Sequence, residues 1–253
     1  ENKMMVSFGG KTAEFTVKGV ELTAESIEAV YRGGSVEVGD YVAAEDVTVT
    51  ATFSDGTKSV VKDFEFSSDR IMMTGENTII IHYGGQSTTI NVNGIAKSGA
   101  SYSNAATFEV KNSDKDIAKV QVAMPKRMEK DAIVGKSLKP DRVKGVINKI
   151  KAEVLSYIAF DVLLADEKQD DVFPLTMKIE LPRKFNPEVK GNEGTSACLY
   201  YTSNRKSVIA KVNPEVNEKG VIEVTLFRPG TYILVKEKEI VEEDTPNPDE
   251  DYL

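Results

Sequence analysis

Val6-Ser-Phe-Gly-Gly-Lys-Thr-Ala-Glu-Phe-Thr-Val-Lys-Gly-Val20 returns, 75 residues later and without a gap, as Ile81-His-Tyr-Gly-Gly-Gln-Ser-Thr-Thr-Ile-Asn-Val-Asn-Gly-Ile95. In each copy an aromatic residue precedes Gly-Gly, and an alternating segment ending in Val-x-Gly follows. Gly-Gly supplies the positive φ angles of a two-residue hairpin turn, and self-similarity at a fixed offset marks modules in series. Residues 4–18, within a segment 1–18, therefore read as the closing hairpin of an upstream module. A complete module runs over 19–95. An isolated two-stranded hairpin is marginal in water, so the apolar side chains of Val6, Phe8, Phe15 and Val17 lead us to expect that residues 4–18 dock on a neighbouring domain or pair with another molecule.

Working outward from the repeat, Asp46-Val-Thr-Val-Thr-Ala-Thr-Phe53 alternates strictly, with Val47, Val49, Ala51 and Phe53 on one face. Ser54–Thr57 is a turn and Lys58–Lys62 the returning strand. Thr78–Tyr83 and Thr88–Val92 form the closing hairpin. Helix signals are confined to a turn at Ala24–Ala29. Short strands, period-two patterning and turns every 8–12 residues predict a sandwich.

Beyond a linker at 96–106, residues 107–238 change texture. Val143, Val146, Ile147 and Ile150 stand at helical spacing after Pro140, which predicts one helix around 140–150, although Gly145 weakens it by up to ~1 kcal/mol. Strands are predicted at Lys119–Met124, Tyr157–Leu164, Leu175–Leu181, Ala197–Thr202, Val208–Val212, Val221–Phe227 and Thr231–Val235. The expected fold class is mainly β: an Ig-like β-sandwich followed by a second sandwich-like domain with one short helix. The two units are expected to be independent and to meet near Ala96–Ala105. Residues 239–253, acidic with Pro246 and Pro248, read as a tail or linker.

Ser26–Gly39, Asp46–Thr57, Gly75–Ile79 and Tyr83-Gly-Gly85 together resemble a bacterial Ig-like domain of the kind that recurs in tandem in cell-surface proteins. The resemblance covers about residues 19–95, echoed at 4–18. The second half, through Ile158–Leu164, Leu175–Pro182 and Phe227-Arg-Pro-Gly-Thr-Tyr-Ile-Leu-Val235, is similar to a C-terminal β-rich module of bacterial multi-domain surface proteins, with Arg228-Pro-Gly-Thr interrupting that module's usual final segment. The resemblance implies an extracellular or cell-surface location and neighbouring Ig-like modules, and it carries no catalytic residue or fixed ligand site.

The net charge of −8 speaks against a nucleic-acid partner, and no apolar run approaches the ~20 residues of a membrane span. The single cysteine allows no intrachain disulfide and leans toward export. With no apolar h-region behind Glu1 and no initiator Met, the chain reads as a mature or truncated piece of a longer protein.

Candidate chemistry is sparse. His82, the only histidine, alternates out of phase with Tyr83 and so faces solvent, and a general base needs a positioned partner and a pocket. Cys198 reads as a half-buried strand thiol with no histidine in its half to activate it. Asp166, Asp170 and Asp171 are the metal candidates: calcium needs six to eight oxygens. Their spacing departs from an EF-hand loop and Lys168 sits among them, which favours a solvated turn. Gly33-Gly34 and Gly84-Gly85 do not open helices, so they are turns and not phosphate loops. A glycan platform would need a coplanar exposed aromatic pair. The chain has no Trp, and Tyr200-Tyr201 point to opposite faces. No catalytic or cofactor-binding residue is expected, and the chain is read as not an enzyme. The expected role is a structural or adhesive segment whose partner is a protein or glycan ligand at the cell surface. The alternative is an accessory glycan-binding region of a secreted enzyme whose catalytic domain lies elsewhere.

Overall fold

A computed structural model describes residues 1–19, 21–96, 104–113, 115–126, 128–129, 131–165 and 174–239. The metal candidates Asp166, Asp170 and Asp171, most of the expected linker and nearly all of the acidic tail lie outside the described residues. The N-terminal repeat forms β1 (Asn2–Phe8) and β2 (Lys11–Val17), an antiparallel hairpin. Every residue of both strands is exposed. The expected docking onto a neighbouring domain does not occur here: the hairpin is a two-stranded sheet by itself.

The complete module contains β3 (Ala24–Tyr31), β4 (Val36–Glu37), β5 (Val47–Phe53), β6 (Lys58–Val61), β7 (Glu65–Phe66), β8 (Gly75–Tyr83) and β9 (Gln86–Ile95). Alternation along β5 puts Val47, Val49 and Ala51 in the interior as expected, facing Ile79, Ile81, Ile90 and Val92 from β8–β9. The three-stranded sheet β3-β5-β6 forms one wall and the β8–β9 hairpin the other. Ala24–Ala29, read as a helical turn, is instead strand. The Ala and Glu residues favour helix weakly, but Ile27, Ala29 and Tyr31 alternate onto the core and β5 completes the ladder, so tertiary pairing wins.

The second half supplies β10 (Asn104–Lys111), β11 (Ile117–Met124), β12 (Ile133–Ser137), a 3-10 turn at Pro140–Arg142, α1 (Lys144–Ile147), β13 (Val154–Leu164), β14 (Leu175–Glu180), β15 (Thr195–Thr202), β16 (Ala210–Val212), β17 (Val221–Leu226) and β18 (Gly230–Lys238). A four-stranded sheet, β10-β11-β14-β17, packs on β12-β13-β18-β15-β16. Between them lies a core that includes Val120, Val122, Met177, Ile179, Phe160, Tyr201 and Tyr232. The chain is thus mainly β, an Ig-like sandwich followed by a second sandwich. The helix is shorter than the spacing predicted. After α1 the bonds tighten to Lys149 N–Val146 O and Ile150 N–Ile147 O, one residue short of α-helical reach. The predicted face survives nonetheless: Val143 and Val146 are fully buried on the far side of the sheet, against Ala159, Cys198, Tyr200, Ile233 and Val235.

The expectation of two independent units needs correction. β16 pairs with β8, Ala210 opposite Asn77 and Lys211 opposite Glu76, so one nine-stranded sheet runs through both sandwiches. Each half also lends side chains to the other. Met72 and Met73 leave the first module to enter the second core, while Phe227 packs against both cores.

Candidate functional site at the junction of the two sandwiches

The segment Ile71–Asn77, between the two halves, carries the densest polar geometry. Asn77 is 1% exposed. Its Oδ1 accepts from the Met72 and Met73 N–H groups at 3.0 and 3.3 Å, and its Nδ2 donates to the Met73 and Gly75 carbonyls at 2.8 and 2.9 Å. One amide therefore makes four hydrogen bonds to backbone groups, three of them on the buried Met72 and Met73. The same segment is held by the second half. Phe227 N–H donates to Met72 O at 2.9 Å, Thr78 N–H to Ile209 O at 2.9 Å, and Thr74 N–H to Thr225 O at 3.2 Å. Beside it the Arg70 guanidinium lies between two rings, 4.2 Å from the Tyr41 centroid and 4.6 Å from that of Phe227.

On one side of the β8–β16 seam opens a cleft of about 390 Å³, lined by Glu76, Thr78, Asn91, Lys149, Tyr200 and Lys211 among others. Beneath it Glu237, 3% exposed, accepts a short hydrogen bond from the Tyr200 hydroxyl and one from Lys211 Nζ at 2.9 Å. Burial first, and then the Glu237 carboxylate, raise the Tyr200 phenol far above its usual value, so it stays protonated. The Cys198 thiol, in the same group, is pushed up to about 11, mainly by burial and then by Glu237. A protonated phenol and a neutral thiol hold geometry; neither is a nucleophile near neutral pH. A second ionic group, on the buried Asp161, ties the loop after β15. Arg205, the only non-glycine at positive φ (57°) among the described residues, reaches Asp161 Oδ2 at 2.7 Å and Thr231 Oγ1 at 3.1 Å, and Thr231 donates to Asp161 Oδ1 at 2.7 Å.

The sequence-predicted residues are scattered. His82 is exposed on β8, and its Nε2 shares a hydrogen bond with Ser67 Oγ; this hydroxyl–imidazole pair stands on open surface. Cys198 is completely buried, not half-buried, because it lies under α1. Tyr200 and Tyr201 do face opposite sides of the sheet, into different cores. The Glu237 and Asp161 groups were missed. Asp161 carried a signal, a carboxylate inside the apolar strand run Ile158-Ala-Phe-Asp161-Val-Leu-Leu164; Glu237, between Lys236 and Lys238, carried none. Among the described residues no group of three or more His, Cys, Asp or Glu side chains is placed to hold a metal ion, and no helix is long and apolar enough to cross a membrane.

Residues 35–93 match the bacterial Ig-like domain (group 3). That stretch runs from just before β4 to near the end of β9, inside the module marked out by the repeat. Domains of this family are generally non-catalytic and occur in bacterial surface proteins. No curated protein and no solved structure matches the chain.

Proposed function

We propose that this chain is a non-catalytic structural segment of a secreted or cell-surface bacterial protein, in which an Ig-like module and its successor are joined rigidly to hold reach and to present loops to a protein partner. The observation that carries this reading is the β8–β16 pairing. A module on a flexible tether gives reach but no fixed direction, whereas a sheet that passes from one sandwich to the next fixes the angle between them. The Arg70–Phe227–Tyr41 stack and the exchange of Met72, Met73 and Phe227 between cores support the same reading. The bacterial Ig-like match supports the location. Antibody raised to the chain should label intact, unpermeabilised cells of the source bacterium, and external protease should remove the signal. Signal appearing only after lysis would contradict the reading.

The rival, an accessory glycan-binding region, draws on the polar cleft over the seam. Its weakness is that the stacked ring pair Phe160–Tyr232 is buried in the core, and Tyr200 is spent on Glu237. Binding on a glycan array that is lost in Lys211→Ala would favour it.

A further inference from the structure

The N-terminal hairpin copies the closing hairpin of the complete module pair by pair. Asn2↔Val17, Met4↔Phe15, Val6↔Ala13 and Phe8↔Lys11 stand in the register of Asn77↔Val92, Ile79↔Ile90, Ile81↔Thr88 and Tyr83↔Gln86. The turns agree as well: Gly9 and Gly10 have φ of 57° and 75°, Gly84 and Gly85 of 55° and 80°. What differs is the cover. Ile79, Ile81, Ile90 and Val92 are 0–5% exposed beneath β3-β5-β6, whereas Met4, Val6, Phe15 and Val17 are 41–59% exposed and Phe8 is 90% exposed.

Two further positions carry the constraint of such a body. A Cβ on Gly94 would lie 2.3 Å from the Met73 carbonyl oxygen, so the loop before β8 requires glycine; Gly19, at the matching position, has nothing within 4 Å. Asn77 fastens Met72 and Met73, just before its strand, and Gly75 at the strand's start; Asn2 occupies its place, on the exposed strand β1. A strand has little intrinsic use for asparagine. Both choices follow if the hairpin is shaped to close a body like residues 24–74.

We infer that the exposed face of β1–β2 is a docking surface for one kind of partner: an Ig-like half-sandwich of the β3-β5-β6 type, ending in a Met-Met-Thr-Gly-like loop and lacking its own closing hairpin. In the order of elements seen in the complete module, that body precedes the hairpin. This inference stands apart from the proposed function, since it concerns only the N-terminal face and not the seam between the halves.

The test uses the whole chain with residues 1–19 transplanted in place of 76–94, so that one molecule carries the hairpin twice. The transplant puts Met, Val, Phe, Phe and Val at 79, 81, 83, 90 and 92, which keeps the apolar pattern and roughly the summed volume. Cores tolerate such joint exchanges, so the transplant should keep a cooperative unfolding transition lowered by no more than about 10 °C. Its amides should exchange far more slowly than the identical residues at the N-terminus. A transplant slipped by one residue, which turns the apolar set outward, should leave residues 24–95 unprotected. A second chain, extended by a further copy of residues 19–75 joined to Glu1, should gain protection at residues 2–17. The inference is overturned if the in-register transplant fails to fold, if it exchanges as fast as the N-terminal copy, or if the slipped transplant folds as well. It is overturned in favour of a second copy of this chain if the extended protein still dimerises through residues 2–17 in sedimentation.

Discussion

At the scale of single residues, the side chains that matter most are those that satisfy buried backbone or neutralise buried charge. Asn77→Ala would strand the Met72 and Met73 N–H groups and the Met73 carbonyl inside the seam. Unsatisfied buried groups cost about 1–3 kcal/mol each before relaxation and water entry, so the loss expected from urea unfolding is about 2–4 kcal/mol. Substituting an exposed asparagine such as Asn91 should cost a few tenths. Cys198 should resist a thiol reagent at pH 8 in the native protein and react at once in denaturant, because burial and Glu237 hold its thiol neutral up to about 11; prompt labelling of the folded chain would show that the α1 cover opens. The same shifts set an alkaline limit. In the unfolded chain Cys198 ionises near 9.0 and Tyr200, Tyr201 and Tyr232 near 10.0, while in the fold all four are raised, chiefly by burial. Between those values the unfolded state has released protons that the native state keeps, so stability falls as pH rises. It should be fully present below about pH 9 and decline above it, and Tyr200→Phe should flatten the decline. The measurement is the urea midpoint followed from pH 7 to pH 10.5.

At the scale of elements, period-two patterning located nearly every strand whose one face is buried: β5, β8, β9, β11 and β14 all show the alternation that a half-covered sheet imposes. It failed where a different force decided. β3 carries helix-favouring Ala and Glu and is a strand only because β5 pairs with it. β10 begins inside the small-residue stretch read as linker, and β12 is short and interrupted by Gly135. α1 was overextended because apolar spacing is satisfied as well by tight 3-10 turns around Gly145 as by a regular helix. The seam was not legible at all, since β16 is three residues long and pairs with a strand some 130 positions away; no local pattern encodes such a partner. Phe227 is the side chain through which the elements of the two halves meet. Phe227→Ala removes a half-buried ring that touches both cores and the Arg70 guanidinium, and it should cost about 2–3 kcal/mol, below the 3–5 typical of a fully buried Phe. Calorimetry should then resolve two transitions where the native chain gives one.

At the scale of the whole molecule, two sandwiches that were expected to be independent share a sheet. Most surfaces of contact between domains of one chain slide or hinge. Here the contact is made of backbone ladder, so changing the angle between the halves means breaking hydrogen bonds in the interior of a sheet. That is the property a spacer or presenting segment needs, and it arises from very little sequence: three residues of β16, the Ile71–Asn77 crossing and one phenylalanine. The group that reports on it without ambiguity is the Thr78 amide, whose hydrogen bond goes to Ile209 of the other half at 2.9 Å and not to its own module. Exchange at that amide, followed by NMR in the intact chain, is predicted to be slowed on the order of 10³-fold or more relative to an unstructured peptide, matching its neighbours on β8 that bond to β9. Thr78 exchanging at the rate of an exposed edge while those neighbours remain protected would show that the seam opens freely and that the two sandwiches move as separate bodies.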